Sequence, residues 1–174
     1  VELTTNSYDI SFPSEGIYNV TVVAFDKAGN SNFDSIIVVY DVTPPTGTII
    51  SPTYGFITNA RSLFLRWETS DALSRYYMAK IYRNGTYLGF VSYSVPNMFN
   101  VSFPSEGVYI IVVELYDWAG NVANVSTKVI IDWTSPDIQL FVIPKYPSVD
   151  DVTHVVAYVT DKYGVYTLIM VSSC

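Results

Sequence analysis

Apolar and polar residues alternate along most of this chain with a period of two. In RSLFLRWE (61–68), Leu63, Leu65 and Trp67 fall on one face and Phe64, Arg66 and Glu68 on the other, the mark of a half-buried strand. VYIIVVELY (108–116) turns Tyr109, Ile111, Val113 and Leu115 to one side, and MFNVSF (98–103) does the same with Phe99, Val101 and Phe103. Further strands are predicted at GTIIS (47–51), YMAKIY (77–82), TYLGFV (86–91) and VSTKVIID (125–132). Asn84-Gly85 joins two of them and signals a hairpin, because both residues accept positive φ at little cost. No run at helical spacing exceeds about two turns. The pattern therefore predicts seven strands, and one complete domain, between residues 45 and 133.

The pattern also repeats. FPSEGIYNVTVVAFDKAGN (12–30) returns 91 positions later as FPSEGVYIIVVELYDWAGN (103–121), and IIVVYDVTPP (36–45) returns as TKVIIDWTSP (127–136). Asp26 maps to Asp117, Asn30 to Asn121, Asp41 to Asp132, Thr43 to Thr134 and Pro45 to Pro136. A period of about 90 residues built from short strands is expected of tandem β-sandwiches. Residues 1–43 match the last three strands of the middle unit, and residues 135–174 match its first three through DIQLFV, VTHVVAYVTD and VYTLIMV. The expected division is thus a C-terminal half (1–43), a complete sandwich (44–134) and an N-terminal half (135–174). Three strands leave one core face open to water, so neither half is expected to fold alone.

The stretches LRWETSDALSRYYMAKIYRNGTYLG and FPSEGVYIIVVELYDWAGNVAN resemble the immunoglobulin-like and fibronectin type III modules carried in tandem by bacterial and archaeal surface proteins. The resemblance rests on Trp67 in the second strand, the Tyr82–Gly85 turn, Gly107 and Tyr109 opening the sixth strand, and the Asp117–Asn121 turn. It implies an all-β fold of tandem sandwiches, one complete and two partial, and a prokaryotic source, with an archaeal one favoured. The last segment departs from it by placing Ala157 where Trp67 stands in the middle unit.

Composition narrows the function. Fifteen Tyr and nine Phe among 49% hydrophobic residues suit pleated surfaces. A net charge of −7 without a basic stripe argues against nucleic acid. The apolar runs are too short to cross a bilayer as helices. VELTTNSYDIS has neither the basic start nor the apolar core of a signal peptide, so an extracellular setting is argued from the resemblance and the sugar-acceptor pattern below. Cys174 is the one cysteine, which leaves no intrachain disulfide.

Candidate chemistry is sparse. Asp26, Gly29 and Asn30, and again Asp117, Gly120 and Asn121, read as strand-connecting turns, in which Asp accepts backbone N–H bonds and Gly and Asn adopt unusual φ. One carboxylate per loop is too few for calcium unless Asp71, Asp161, Asp41 or Asp132 joins it, and no metal or other cofactor is expected. Tyr18 and Tyr109 read as corner tyrosines bonded to nearby backbone. His154, the only histidine, matches the outward Phe64 and has no nucleophile or metal-ligand motif around it. No enzyme is expected. Four acceptor triplets, at Asn19, Asn84, Asn100 and Asn124, predict N-linked glycans on outward positions. Phe25, Tyr116, Val23, Tyr93 and Tyr158 fall on or near outer positions, which suits contact surface. No cluster of exposed aromatics is expected on a single set of loops.

The functional expectation is a structural component of a surface layer, sheath or filament, with other copies or neighbouring immunoglobulin-like domains as partners. One alternative is a head-to-tail filament subunit in which the two half domains complete each other. Another is an accessory binding or spacer domain of a secreted adhesin or protease.

Overall fold

The structure is a computed structural model that describes residues 7–143, 145–146, 148–149 and 152–169. Its described residues contain strands and turns but no helix. The strands are β1 (Gly16–Phe25), β2 (Ser31–Tyr40), β3 (Thr46–Ser51), β4 (Phe56–Thr58), β5 (Ser62–Ser70), β6 (Tyr76–Arg83), β7 (Thr86–Ser92), β8 (Met98–Ser102), β9 (Gly107–Asp117), β10 (Val122–Ile131), β11 (Asp137–Ile143) and β12 (His154–Thr160). They form a central sandwich of two sheets, ordered β3-β5-β8 and β4-β10-β9-β6-β7, flanked in sequence by two separate hairpins, β1-β2 and β11-β12.

The alternating strands build the central core. Leu65, Trp67 and Val101 from one sheet meet Ala79, Ile81, Ile111, Val113, Leu115, Val129 and Ile131 from the other. Leu63 and Phe99 pack against this cluster from half-buried positions. The expected hairpin turn has Asn84 and Gly85 both at positive φ, pairing Arg83 with Thr86. The strand β4 escaped the alternation reading because three residues are too short to show a period. It forms where the chain leaves β3 and crosses to the opposite sheet, held by Gly55 N–H to the Lys128 carbonyl (2.7 Å) and Thr127 Oγ1 to the Pro52 carbonyl (3.2 Å). There it runs parallel to β10.

The first hairpin copies the register of its repeat. Gly16 pairs with Tyr40 and Phe25 with Ser31, as Gly107 pairs with Ile131 and Tyr116 with Val122. The second hairpin pairs Leu140 with Ala157, as β3 and β5 pair Ile49 with Trp67.

Two expected strands are absent. Residues 7–12, the counterpart of β8, and residues 165–169, the described part of VYTLIMV, are not in strands. In the central sandwich β8 gains its ladder from β5, and β6, the counterpart of VYTLIMV, gains ladders from both β7 and β9. The end segments lack those neighbours, and a strand without a paired ladder has nothing to hold it. Cys174 and the end of VYTLIMV lie outside the described residues.

Candidate functional site: module junctions and open sheet faces

The repeated linkers are built as interlocked turns. Asp41 follows β2 and accepts the Thr43 N–H (3.0 Å), while its other oxygen accepts the Ser74 N–H across the junction (3.0 Å). Thr43 donates its hydroxyl back to Glu15 (2.7 Å). The second linker repeats the design: Asp132 accepts the Thr134 N–H, and the Thr134 hydroxyl donates to Glu106 (2.7 Å). Glu15 and Glu106 were not singled out from sequence, although both sit in the repeated PSEG motif with a repeated Thr 28 residues on.

The predicted turn residues close the same junction. Asp117, with 1% of its surface exposed, accepts the Asn121 N–H and its side-chain amide, both at 2.8 Å. Gly120 supplies a φ of 93°. The Asn121 amide also reaches the carbonyls of Asp41 (3.2 Å) and Thr43 (3.4 Å), so one side chain ties the turn to the linker. In the first copy, Asp26 and Asn30 form the same turn in the open, at 2.7–2.9 Å. The Asn30 side chain, followed by N–H groups of Asn30, Ala28 and Gly29, holds Asp26 below the usual carboxylate range.

Asp41, Asp71 and Asp117 converge, each offering an oxygen within 4.8 Å of the others. These are the described residues that a hard cation would fit, and Asp71 and Asp41 are among the extra acids that a calcium loop was expected to require. Their oxygens already serve as caps: Asp71 accepts the Leu73 and Arg75 N–H groups. The Ser74 hydroxyl, with the Thr43 and Ser74 N–H groups, holds Asp41 below the usual range. At the second junction the Thr134 hydroxyl and Trp133 N–H do the same for Glu106.

Asn19, Asn84, Asn100 and Asn124 are all exposed. Asn84 is also engaged locally, accepting the Ile110 N–H (2.7 Å). Tyr109 donates to the Ser105 carbonyl (2.8 Å) and Tyr18 to that of Ser14 (2.5 Å). His154 lies exposed on β12.

One expectation is corrected. Tyr77, Tyr93 and Trp118 come from three separate segments, yet Trp118 lies 4.4 Å from Tyr77 and 5.5 Å from Tyr93 between ring centroids. All three rings are exposed at one end of the sandwich. Backbone bonds from Trp118 to Arg75 and from Tyr93 to Tyr77 align the segments, a convergence that only sheet pairing creates.

Apolar side chains also lie open on both flanking hairpins. On β1-β2, Val22 is 54% and Ile36 65% exposed, whereas Val113, the repeat counterpart of Val22, is fully buried. On β11-β12, Leu140 is 65% and Val155 42% exposed, against 0% for Leu65, which Val155 replaces.

The bacterial Ig-like domain family matches residues 74–133, the larger part of the central sandwich. The fold is immunoglobulin-like. Among solved structures, the chain is similar to the fibronectin(III)-like modules of Clostridium thermocellum CbhA, at 20% identity and a TM-score of 0.47. That likeness covers 70% of this chain and 65% of the other. No curated protein matches the chain. Among the described residues no helix is long and apolar enough to cross a membrane.

Proposed function

We propose that this chain is a non-enzymatic structural part of an extracellular surface assembly, with residues 1–43, 44–134 and 135–174 as consecutive pieces of tandem immunoglobulin-like modules. The apolar sheet surface carries the reading. Outward positions Val23, Phe25, Tyr93 and Tyr158 are 51–73% exposed, apolar area that serves as contact surface in a layer, sheath or filament. The junction bonds from Asn121, Glu15 and Ser74 support a spacer whose modules keep a set angle. The exposure of Asn19, Asn84, Asn100 and Asn124 suits N-linked glycans on its outer faces. Immunogold labelling of intact source cells with an antibody to the central sandwich tests the proposal. Label at the surface is expected, and label only after lysis would refute it.

A second reading, an accessory binding module of a secreted adhesin or protease, is favoured by the exposed Tyr77, Tyr93 and Trp118 cluster, since clustered aromatics stack on sugars or peptide side chains.

A further inference from the structure

We propose that Asn100 is a glycan attachment site whose first sugar lies on the exposed ring of Phe64 and covers the outer face of the β3-β5-β8 sheet. The inference rests on the glycan reading above and names which acceptor matters and what its sugar shields.

The strand register singles out one of the four acceptors. Asn100 on β8 stands directly opposite Phe64 on β5, and such pairs share a face with Cβ atoms about 5 Å apart. Asn19 instead stands opposite Ile37, and Asn124 opposite Glu114. The ring diagonal to Asn124, that of Tyr116, already has the Lys80 ammonium 4.4 Å over its centroid. Asn84 has its carboxamide turned back onto β9, accepting the Ile110 N–H (2.7 Å) and donating to the Val108 carbonyl (3.4 Å). A sugar ring presents an apolar face of C–H groups, so it covers an aromatic ring while its hydroxyls stay in water. Of the four, Asn100 is the acceptor with an open ring set against it across a ladder.

The path of the chain leaves that ring open. Phe64 is 59% exposed. The β3-β5 ladder stops at the Ser51–Arg66 pair, and by Pro52 the chain has crossed to β10, where the Thr127 hydroxyl donates to the Pro52 carbonyl. Phe64 therefore has a ladder partner on one side alone, and that partner is Asn100. The outward place does not require a ring, since His154 holds the matching position on β12. A ring kept in water is unfavourable in proportion to its apolar area. A sugar already tethered beside it has little freedom left to lose on settling there.

The sheet edge points the same way. β8 is the last strand of its sheet, and Met98–Ser102 carries no charge, proline or bulge to discourage another strand from pairing with it. A glycan rooted in the middle of that strand supplies the obstacle.

Glycopeptide mapping of the chain from its source cells is the first test, and sugar on Asn100 is expected. Asn100 bare while another of the four carries sugar would overturn this assignment alone; all four bare would take the glycan reading down with it. The second test uses 174-residue chains secreted from yeast with Thr21→Ala, Thr86→Ala and Ser126→Ala, so that Asn100 alone accepts sugar, trimmed enzymatically to a single N-acetylglucosamine. Trp67, Trp118 and Trp133 all belong to the central sandwich, so tryptophan fluorescence reads its thermal midpoint. Against identical chains from a bacterial host, which lack the sugar, the midpoint should rise by about 2–6 °C, the effect of a favourable cross-strand pair in a domain of this size. With Phe64→Thr added, the same sugar should shift it by less than about 1 °C, because the ring it rests on is gone. Yeast chains that stay bare at Asn100, a sugar without effect on the midpoint, or one that stabilises the Phe64→Thr chain equally would each overturn the pairing of Asn100 with Phe64.

Discussion

Val22 and Val113 occupy the same position in two copies of one hairpin, and their truncation separates sequence from environment. Val113 is fully buried and stands opposite Val125 in the ladder, whereas Val22 is 54% exposed and stands opposite Asp34. Replacing Val113 with Ala removes two methyl-sized groups from the core, at about 0.8 kcal/mol each in transfer free energy. The cavity left between the sheets adds a contribution on the order of 1 kcal/mol. The total of about 2.5 kcal/mol corresponds to a fall of roughly 10–20 °C in midpoint for a domain of this size. Val22→Ala loses at most about half of the transfer term and opens no closed cavity, so its cost in separate chains stays below about 1 kcal/mol. Thermal unfolding followed by tryptophan fluorescence in dilute solution reads both. Should Val22→Ala lower the midpoint as far as Val113→Ala there, β1-β2 would already be shielded within a single chain, and the account of an open face would fail.

The junction and its acids give two further outcomes. Asn121→Ala removes the amide that donates to Asp117 and to the Asp41 and Thr43 carbonyls, leaving a buried carboxylate short of a partner at about 1–3 kcal/mol; a denaturant midpoint should show the loss, and Asn30→Ala, in the exposed copy of the turn, should leave it near wild type. Asp41, Asp26 and Glu106 all have folded-state pKa values below their ordinary ones, so they favour the folded state above the unfolded pKa and lose that contribution as pH falls through the folded one. Midpoints should therefore hold near neutrality and begin to fall below roughly pH 4; a midpoint that rose on acidification would contradict the bonding described for these carboxylates.

Much of the fold was legible because its signals are local. A period of two decides which of Leu63, Leu65 and Trp67 face inward with no knowledge of the neighbours, and Asn84-Gly85 carries its turn in its own backbone preferences. The repeat transferred those assignments to the ends, and the β1-β2 register agrees with it residue for residue. The short β4, the grouping of Asp41, Asp71 and Asp117, and the Tyr77, Tyr93 and Trp118 cluster left no such trace. Each joins residues far apart in the chain, and the offset between two strands is set by the whole ladder and core.

Sequence by itself thus determined the strand identities, the inward faces and the equivalence of the end segments to halves of the middle unit, since these follow from side-chain alternation and from a repeated pattern. Tertiary structure alone decided which of those segments become strands. Residues 98–102 and 7–12 follow the same pattern, yet only the first are extended into a sheet, because a strand is held by hydrogen bonds to a neighbour that the pattern cannot supply.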